Sequence, residues 1–116
     1  MNTKTVKIGG KDVPLKTSAY TPLLYAQLFN ANIFADMQDI VVAASKTGTV
    51  PFEKVIILYR LAYTMAKHAD PEIAPLEEWL DQFNVYDIPE IASDLIELWA
   101  VDNQSQSTPK DDTAGD

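Results

Sequence analysis

The stretch PFEKVIILYRLAYTMAKHADP, residues 51–71, decides the fold. Val55, Leu58, Tyr59, Ala62, Met65, Ala66 and Ala69 recur three and four residues apart, which is one face of an α-helix. Ile56, Ile57, Leu61 and Tyr63 leave little polar surface on the remaining face, so this helix is expected to be the buried centre of a domain. Pro51 opens it, with Thr49 or Val50 as the cap. Asp70-Pro71 closes it, because the residue before a proline is pushed out of the α region.

Working toward the N-terminus, Ile33, Met37, Ile40, Val41 and Ala44 keep helical spacing up to a break at Thr47-Gly48-Thr49. An earlier stripe of Leu24, Tyr25, Leu28 and Phe29 is interrupted by Asn30-Ala31-Asn32 and capped by Ser18 or Thr21, with Pro22 near the first turn. Before it, Val6-Lys7-Ile8 and Val13-Pro14-Leu15 alternate around the turn chemistry of Gly9-Gly10-Lys11-Asp12, a short β-hairpin. Pro14 belongs on an edge, where no ladder bond is required. Two strands this short need a helix to cover their apolar face.

Working toward the C-terminus, Pro75 starts a short helix through Leu76, Trp79, Leu80 and Phe83. Asp87 caps a last helix at Ile88-Pro89-Glu90, and Ile91, Leu95, Leu98 and Trp99 continue its stripe. Beyond Asp102 the chain has nothing to bury. The expected fold is therefore mainly α: about five helices and a short N-terminal β-hairpin in one domain over residues 1–102. A polar, disordered tail over residues 103–116 follows.

The chain has 116 residues, a length suited to one domain, and a net charge of −8 that is unevenly spread. Residues 1–16 hold four lysines against one aspartate, and residues 17–69 are nearly neutral. Residues 70–116 hold thirteen carboxylates and only Lys110. That excess opposes a nucleic-acid partner, since phosphate binding is driven by Lys and Arg. It suits a solvated face or a surface that selects a basic partner. No apolar run approaches the ~20 residues needed to span a bilayer, and Met1 to Thr5 leads into an alternating strand rather than the apolar run of a signal peptide.

No catalytic constellation is visible. Cysteine is absent, which excludes disulfides, a thiolate nucleophile and zinc–thiolate ligation. Gly9-Gly10 lies in a hairpin and lacks the spacing of a phosphate loop. His68, Asp70 and Glu72 are close in sequence, but Asp70-Pro71 breaks the helix between them, so no metal site or cofactor is expected. Glu77, Glu78 and Asp81 crowd one exposed helix rather than facing one another across a cleft, as paired catalytic carboxylates must. Trp79 and Trp99 lie on apolar stripes and read first as core, with partner anchoring as the rival role.

In several segments the chain resembles the tail assembly chaperones of long, non-contractile-tailed phages and prophages of Gram-positive bacteria. The resemblance covers most of residues 5–102. It runs from the hairpin at Val6-Lys7-Ile8-Gly9-Gly10-Lys11 through Leu15-Lys16-Thr17 and the aromatic first helix. It is strongest at Arg60-Leu61-Ala62-Tyr63-Thr64-Met65-Ala66-Lys67, then at Glu77-Glu78-Trp79-Leu80-Asp81-Gln82-Phe83, and closes at Glu97-Leu98-Trp99. The resemblance implies a non-enzymatic protein of the bacterial host cytoplasm, not expected in the mature virion. Its partner would be the tape-measure protein, held soluble before tail-tube polymerisation. A frameshifted longer companion would recruit the tail-tube protein, and a homo-oligomer is compatible with the family.

The rings expected to anchor such a partner are Phe29, Phe34, Tyr86 and Trp99, each near a helix end or connection. The alternative is a small acidic adaptor that blocks a basic partner surface by charge mimicry. Salt separates the two, because charge mimicry weakens steeply with ionic strength and apolar contact does not.

Overall fold

The computed structural model describes residues 2–48, 50–51 and 54–107, with Asn2 and residues 101–107 described by backbone path. Strands β1 (Asn2–Ile8) and β2 (Lys11–Thr17) pair antiparallel, with Ile8 opposite Lys11 across a two-residue turn. Gly9 and Gly10 both have positive φ, +57° and +84°, the mirror-image turn that matches strand twist. The turn is thus tighter, and the strands longer, than expected. Pro14 faces Thr5. Counting from the hydrogen-bonded pair beside the turn, this is a non-bonded position, so the missing N–H costs no ladder bond. Val6, Ile8, Val13, Leu15 and Thr17 are buried on one face, while Thr3, Thr5, Lys7, Asp12 and Pro14 are exposed on the other.

Helix α1 (Tyr20–Phe29) has Ala19 at its N-cap, which makes no side-chain cap bond, and the two residues expected as caps bond instead across the turn leading into the helix. The Ser18 N–H donates to Thr21 Oγ1 (2.9 Å) and the Tyr20 N–H donates to Ser18 Oγ (3.1 Å). The Asn30-Ala31-Asn32 break gives its two asparagines different work. Asn30 ends α1 in the left-handed conformation, φ 52°, which asparagine tolerates. Asn32 caps α2 (Ile33–Thr47), its Oδ1 accepting from the Phe34 and Ala35 N–H groups. Gly48, φ 81°, ends α2. Tyr25, fully buried, locks α1 to α2 by donating to Asp36 Oδ2 at 2.6 Å.

Helix α3 (Val55–Ala69) is the hub, packing on β2, α1 and α2, and on α4 (Leu76–Asp81), α5 (Asp87–Glu90) and α6 (Ala92–Ser107). Six consecutive residues, Leu61 to Ala66, are buried. Tyr63 donates to the Ala74 carbonyl (2.8 Å), and its ring meets Trp79 edge-on at 5.4 Å. Asp70 is extended, as the following proline requires.

Three boundaries differ from expectation. Helix α3 begins at Val55 rather than at Pro51, whose carbonyl instead accepts the Lys54 N–H (2.9 Å); Thr49 lies outside the described residues. The last helix is two: the Ile91 N–H turns back to the Ile88 carbonyl (3.0 Å), tightening that turn and separating α5 from α6. Asp87 caps no helix end; its carboxylate accepts the Asn84 N–H (2.8 Å) in the preceding turn. The α6 backbone runs to Ser107, into the stretch expected as polar tail, and residues 108–116 lie outside the described residues.

The hairpin is fastened at both ends. Its tip, Gly9, abuts the Asp87 carboxylate, and Lys11 Nζ donates to Gln82 Oε1 at 3.2 Å. Near its free end, Lys4 bridges Asp94 (3.2 Å) and Glu97 (3.4 Å) of α6, which hold the ammonium pKa above its ordinary value. Among the described residues no helix is long and apolar enough to cross a membrane.

Candidate partner-binding groove

Helices α2 and α6 run in opposite directions past the start of α3. At one end they touch: the Phe34 ring at the start of α2 packs on Trp99 late in α6, centroids 5.4 Å apart. At the other end a groove of about 590 Å³ opens between Ala44 and Gly48 of α2 and Ala92, Ser93 and Ile96 of α6. Val50, Val55, Tyr86, Pro89 and Glu90 complete its lining.

Helical spacing explains the groove's composition. Phe34, Val41 and Gly48 stand seven residues apart, two turns each time, so they share one face of α2. Ala92 and Trp99 are related in the same way on α6. Large side chains close the seam at the Phe34–Trp99 end, and small ones leave it open at the other. The walls are nearly uncharged: of the described residues lining the groove, Glu90 alone carries charge. A second depression on α2, about 450 Å³, is also largely apolar but carries Asp39, Lys46 and Lys54, with Lys54 paired to Asp39 at 3.6 Å.

The four expected anchors fall into different settings. Tyr86 is 69% exposed on the groove's open rim, and Phe34 is 56% exposed at its closed end. Trp99 is only 7% exposed; it supports Phe34 from the core side and presents no free ring. Phe29 stands apart, half-buried against Tyr25 (5.4 Å) with the Arg60 guanidinium 5.6 Å from its ring centre. Val41 departs from expectation. Its spacing matched the core stripe, yet it is 46% exposed, because its place on the helix lies with Phe34 and Gly48 and not with buried Ile33, Met37 and Ile40. The seven-residue spacing was the signal that could have found it. Ile96 and the small residues gave no such signal, since only the course of α6 past α2 makes them a wall.

Several other polar groups are taken up in the fold, although the buried Thr17 Oγ1 has no hydrogen-bond partner among the described residues. Thr21 Oγ1 lies 3.3 Å from His68 Nδ1, and the Tyr20 ring stands edge-on to the imidazole at 5.2 Å. Burial, then the Lys16 charge, holds the His68 pKa below its ordinary value. Burial and the bond to Asp36 raise that of Tyr25. Burial alone raises that of Tyr63. Among the described residues no three His, Asp or Glu side chains gather where they could hold a metal ion. Glu77, Glu78 and Asp81 are exposed along α4, while Trp79 is buried between Tyr63 and Phe83.

No family model, curated protein or solved structure matches this chain.

Proposed function

We propose that the protein is a non-enzymatic assembly chaperone, acting in the bacterial cytoplasm on a long, apolar helical chain of the tape-measure type. The observation that carries this reading is the groove at the open end of the α2–α6 seam, apolar along its walls apart from Glu90. An amphipathic helix laid in such a seam buries its stripe and loses the exposed surface that drives aggregation. The acidic exterior supports the same role, since loaded chains of like charge repel one another. The family resemblance supplies the identity of the client, and with it a frameshifted companion that brings the tail-tube protein.

Co-expression tests the reading. A tape-measure protein encoded beside this gene, insoluble when expressed alone, is expected in the soluble fraction and in complex with this chain. If it stays insoluble or elutes separately, the proposal fails.

One observation favours a second reading. Residues 70–100 hold nine carboxylates and no lysine or arginine, with Glu77, Glu78 and Asp81 exposed on one short helix. An adaptor masking a basic surface would use that face. Its binding would fall steeply between low and moderate salt, whereas seam binding would persist.

A further inference from the structure

We infer that the outer edge of β1 joins two copies of this chain. Each β1 would pair antiparallel with the other about a two-fold axis at Thr5, extending the hairpin into a four-stranded sheet. The hairpin strands pair with each other, and among the described residues no further backbone bond reaches β1. Ile8 and Lys11 beside the turn form the first bonded pair of the ladder, so Val6–Val13 and Lys4–Leu15 are the next ones. Thr3, Thr5 and Lys7 fall between them, and their N–H and C=O groups point out of the hairpin along the β1 edge. The same count on β2 points Asp12, Pro14 and Lys16 outward, and Pro14 has no N–H to offer. The β2 edge is thus interrupted at its middle, while the β1 edge presents an unbroken row.

The occupant follows from the spacing of that row. Its positions are symmetric about Thr5, so an antiparallel copy sets Thr5 opposite Thr5, and Thr3 opposite Lys7 on both sides of the axis. Every outward group of one copy then meets its counterpart on the other, each pair exchanging both bonds. That is the self-complementary patch a two-fold contact requires. Other registers are poorer: centring on Lys7 sets two ammonium groups face to face, and shifting off centre leaves Thr3 or Lys7 without a partner on the strand. Lysines commonly guard an edge strand. Here both on β1 are held by carboxylates of their own chain, Lys7 by Asp12 (3.4 Å) and Lys4 by Asp94 and Glu97 (3.2 and 3.4 Å). Thr3 and Thr5, exposed and β-branched, suit cross-strand pairing. A contact over residues 3–7 is smaller than the roughly 1,200 Å² of a stable interface, so the dimer is expected to be in reversible equilibrium with monomer.

Sedimentation velocity of the full chain, from low micromolar to near-millimolar concentration, tests this. The chain is expected to pass from monomer to dimer across that range. Thr5→Pro removes an outward N–H at the position facing Pro14 across the ladder, where proline is already accommodated, so the hairpin should survive, as circular dichroism would verify. It should weaken the dimer at least about tenfold, since each copy loses a bond and leaves a carbonyl unpaired at the axis. Two charge variants fix the register. Thr3→Glu sets a carboxylate opposite Lys7 of the other copy and should tighten the dimer roughly fivefold, whereas Thr3→Lys sets like charges there and should weaken it by a similar factor.

A chain that stays monomeric throughout overturns the inference. So does a dimer that Thr5→Pro leaves as tight as before, which would put the contact on another face. Should Thr5→Pro unfold the hairpin, the two Thr3 variants decide: opposite shifts support the pairing, and equal or absent shifts overturn it. The chaperone reading rests on the α2–α6 groove and fails separately. A tape-measure protein held soluble by a monomeric chain would leave that reading standing without the dimer, and a dimer that holds no tape-measure protein would leave the reverse.

Discussion

Two stretches of α3, residues 61–66 and residues 55–56, are built from similar apolar residues and end in opposite situations. Leu61 to Ala66 are buried without exception, with Ala66 beside hairpin residue Val13 and Tyr63 against Trp79 of α4. At the other end Val55 lines the α2–α6 groove and Ile56 is 56% exposed, although Ile57 and Leu58 beside them are buried. Apolar composition therefore marks what can be buried, and the neighbouring elements decide what is. The closed half carries the stability of the fold. The open end at Val55 and Ile56 keeps apolar surface in water at a cost of roughly 25 cal/mol per Å². That cost would be offset when a partner covers it.

The sharpest way to break this contrast is to truncate one residue in each half. Leu61→Ala, at a fully buried position, should lose about 2–5 kcal/mol of unfolding free energy in urea. Ile56→Ala should change it by less than about 0.5 kcal/mol, as expected of an exposed site. Comparable losses would mean that α3 has no open half.

The hairpin that seals the closed half offers the next test. Both turn glycines have positive φ, so alanine at either strains the backbone by about 1–2 kcal/mol. A Cβ at Gly10 would meet open space, while one at Gly9 would run into the Asp87 carboxylate. Gly9→Ala should therefore be clearly the more destabilising of the two. Equal losses would mean that the tip does not bear on α5.

A smaller effect is expected inside the wall that α2 builds. Tyr25→Phe removes the hydroxyl that donates to Asp36, and Asp36, half-buried, can take water instead. The expected loss is about 1 kcal/mol, read from the denaturation midpoint. No loss would show that the contact between α1 and α2 is apolar only.

Most of the architecture was legible from periodicity and punctuation. Gly9-Gly10, Asn30, Asn32, Gly48 and Asp70-Pro71 each break the chain for a local reason that residue type announces. The groove was less legible, because it is a relation between two helices far apart in sequence. Phe34 and Tyr86 could be named as rings near helix ends, but nothing local says that Tyr86 stands on a rim while Trp99 is roofed by Phe34. Val41 was misplaced because the core and exposed faces of one helix differ by a fraction of a turn. The Tyr25–Asp36 bond likewise joins a residue read as part of an apolar stripe to a carboxylate 11 positions on, a pairing no local pattern announces.

The smallest expected effect lies at the sealed end of α3 and depends on pH. Thr21 Oγ1 already accepts the Ser18 N–H, so its own hydrogen is available to His68 Nδ1, which favours a neutral imidazole with Nδ1 as acceptor. Partial burial and the Lys16 charge act in the same direction, lowering the pKa below 6.5, against a backbone bond to Lys16 that favours the cation. A histidine with a lowered folded pKa takes up its proton more readily when unfolded. Its contribution to stability is full above about pH 6.5, shrinks as pH falls through 6.5 toward the folded value, and changes no further below that. Urea midpoints measured from pH 8 to pH 5 on the parent chain and on His68→Gln isolate this group from the carboxylates, which titrate in both. The parent should lose stability relative to the variant as pH falls through that window. Parallel profiles would show that protonating His68 leaves the junction of hairpin, α1 and α3 undisturbed, and that the closed half of α3 is sealed by apolar packing alone.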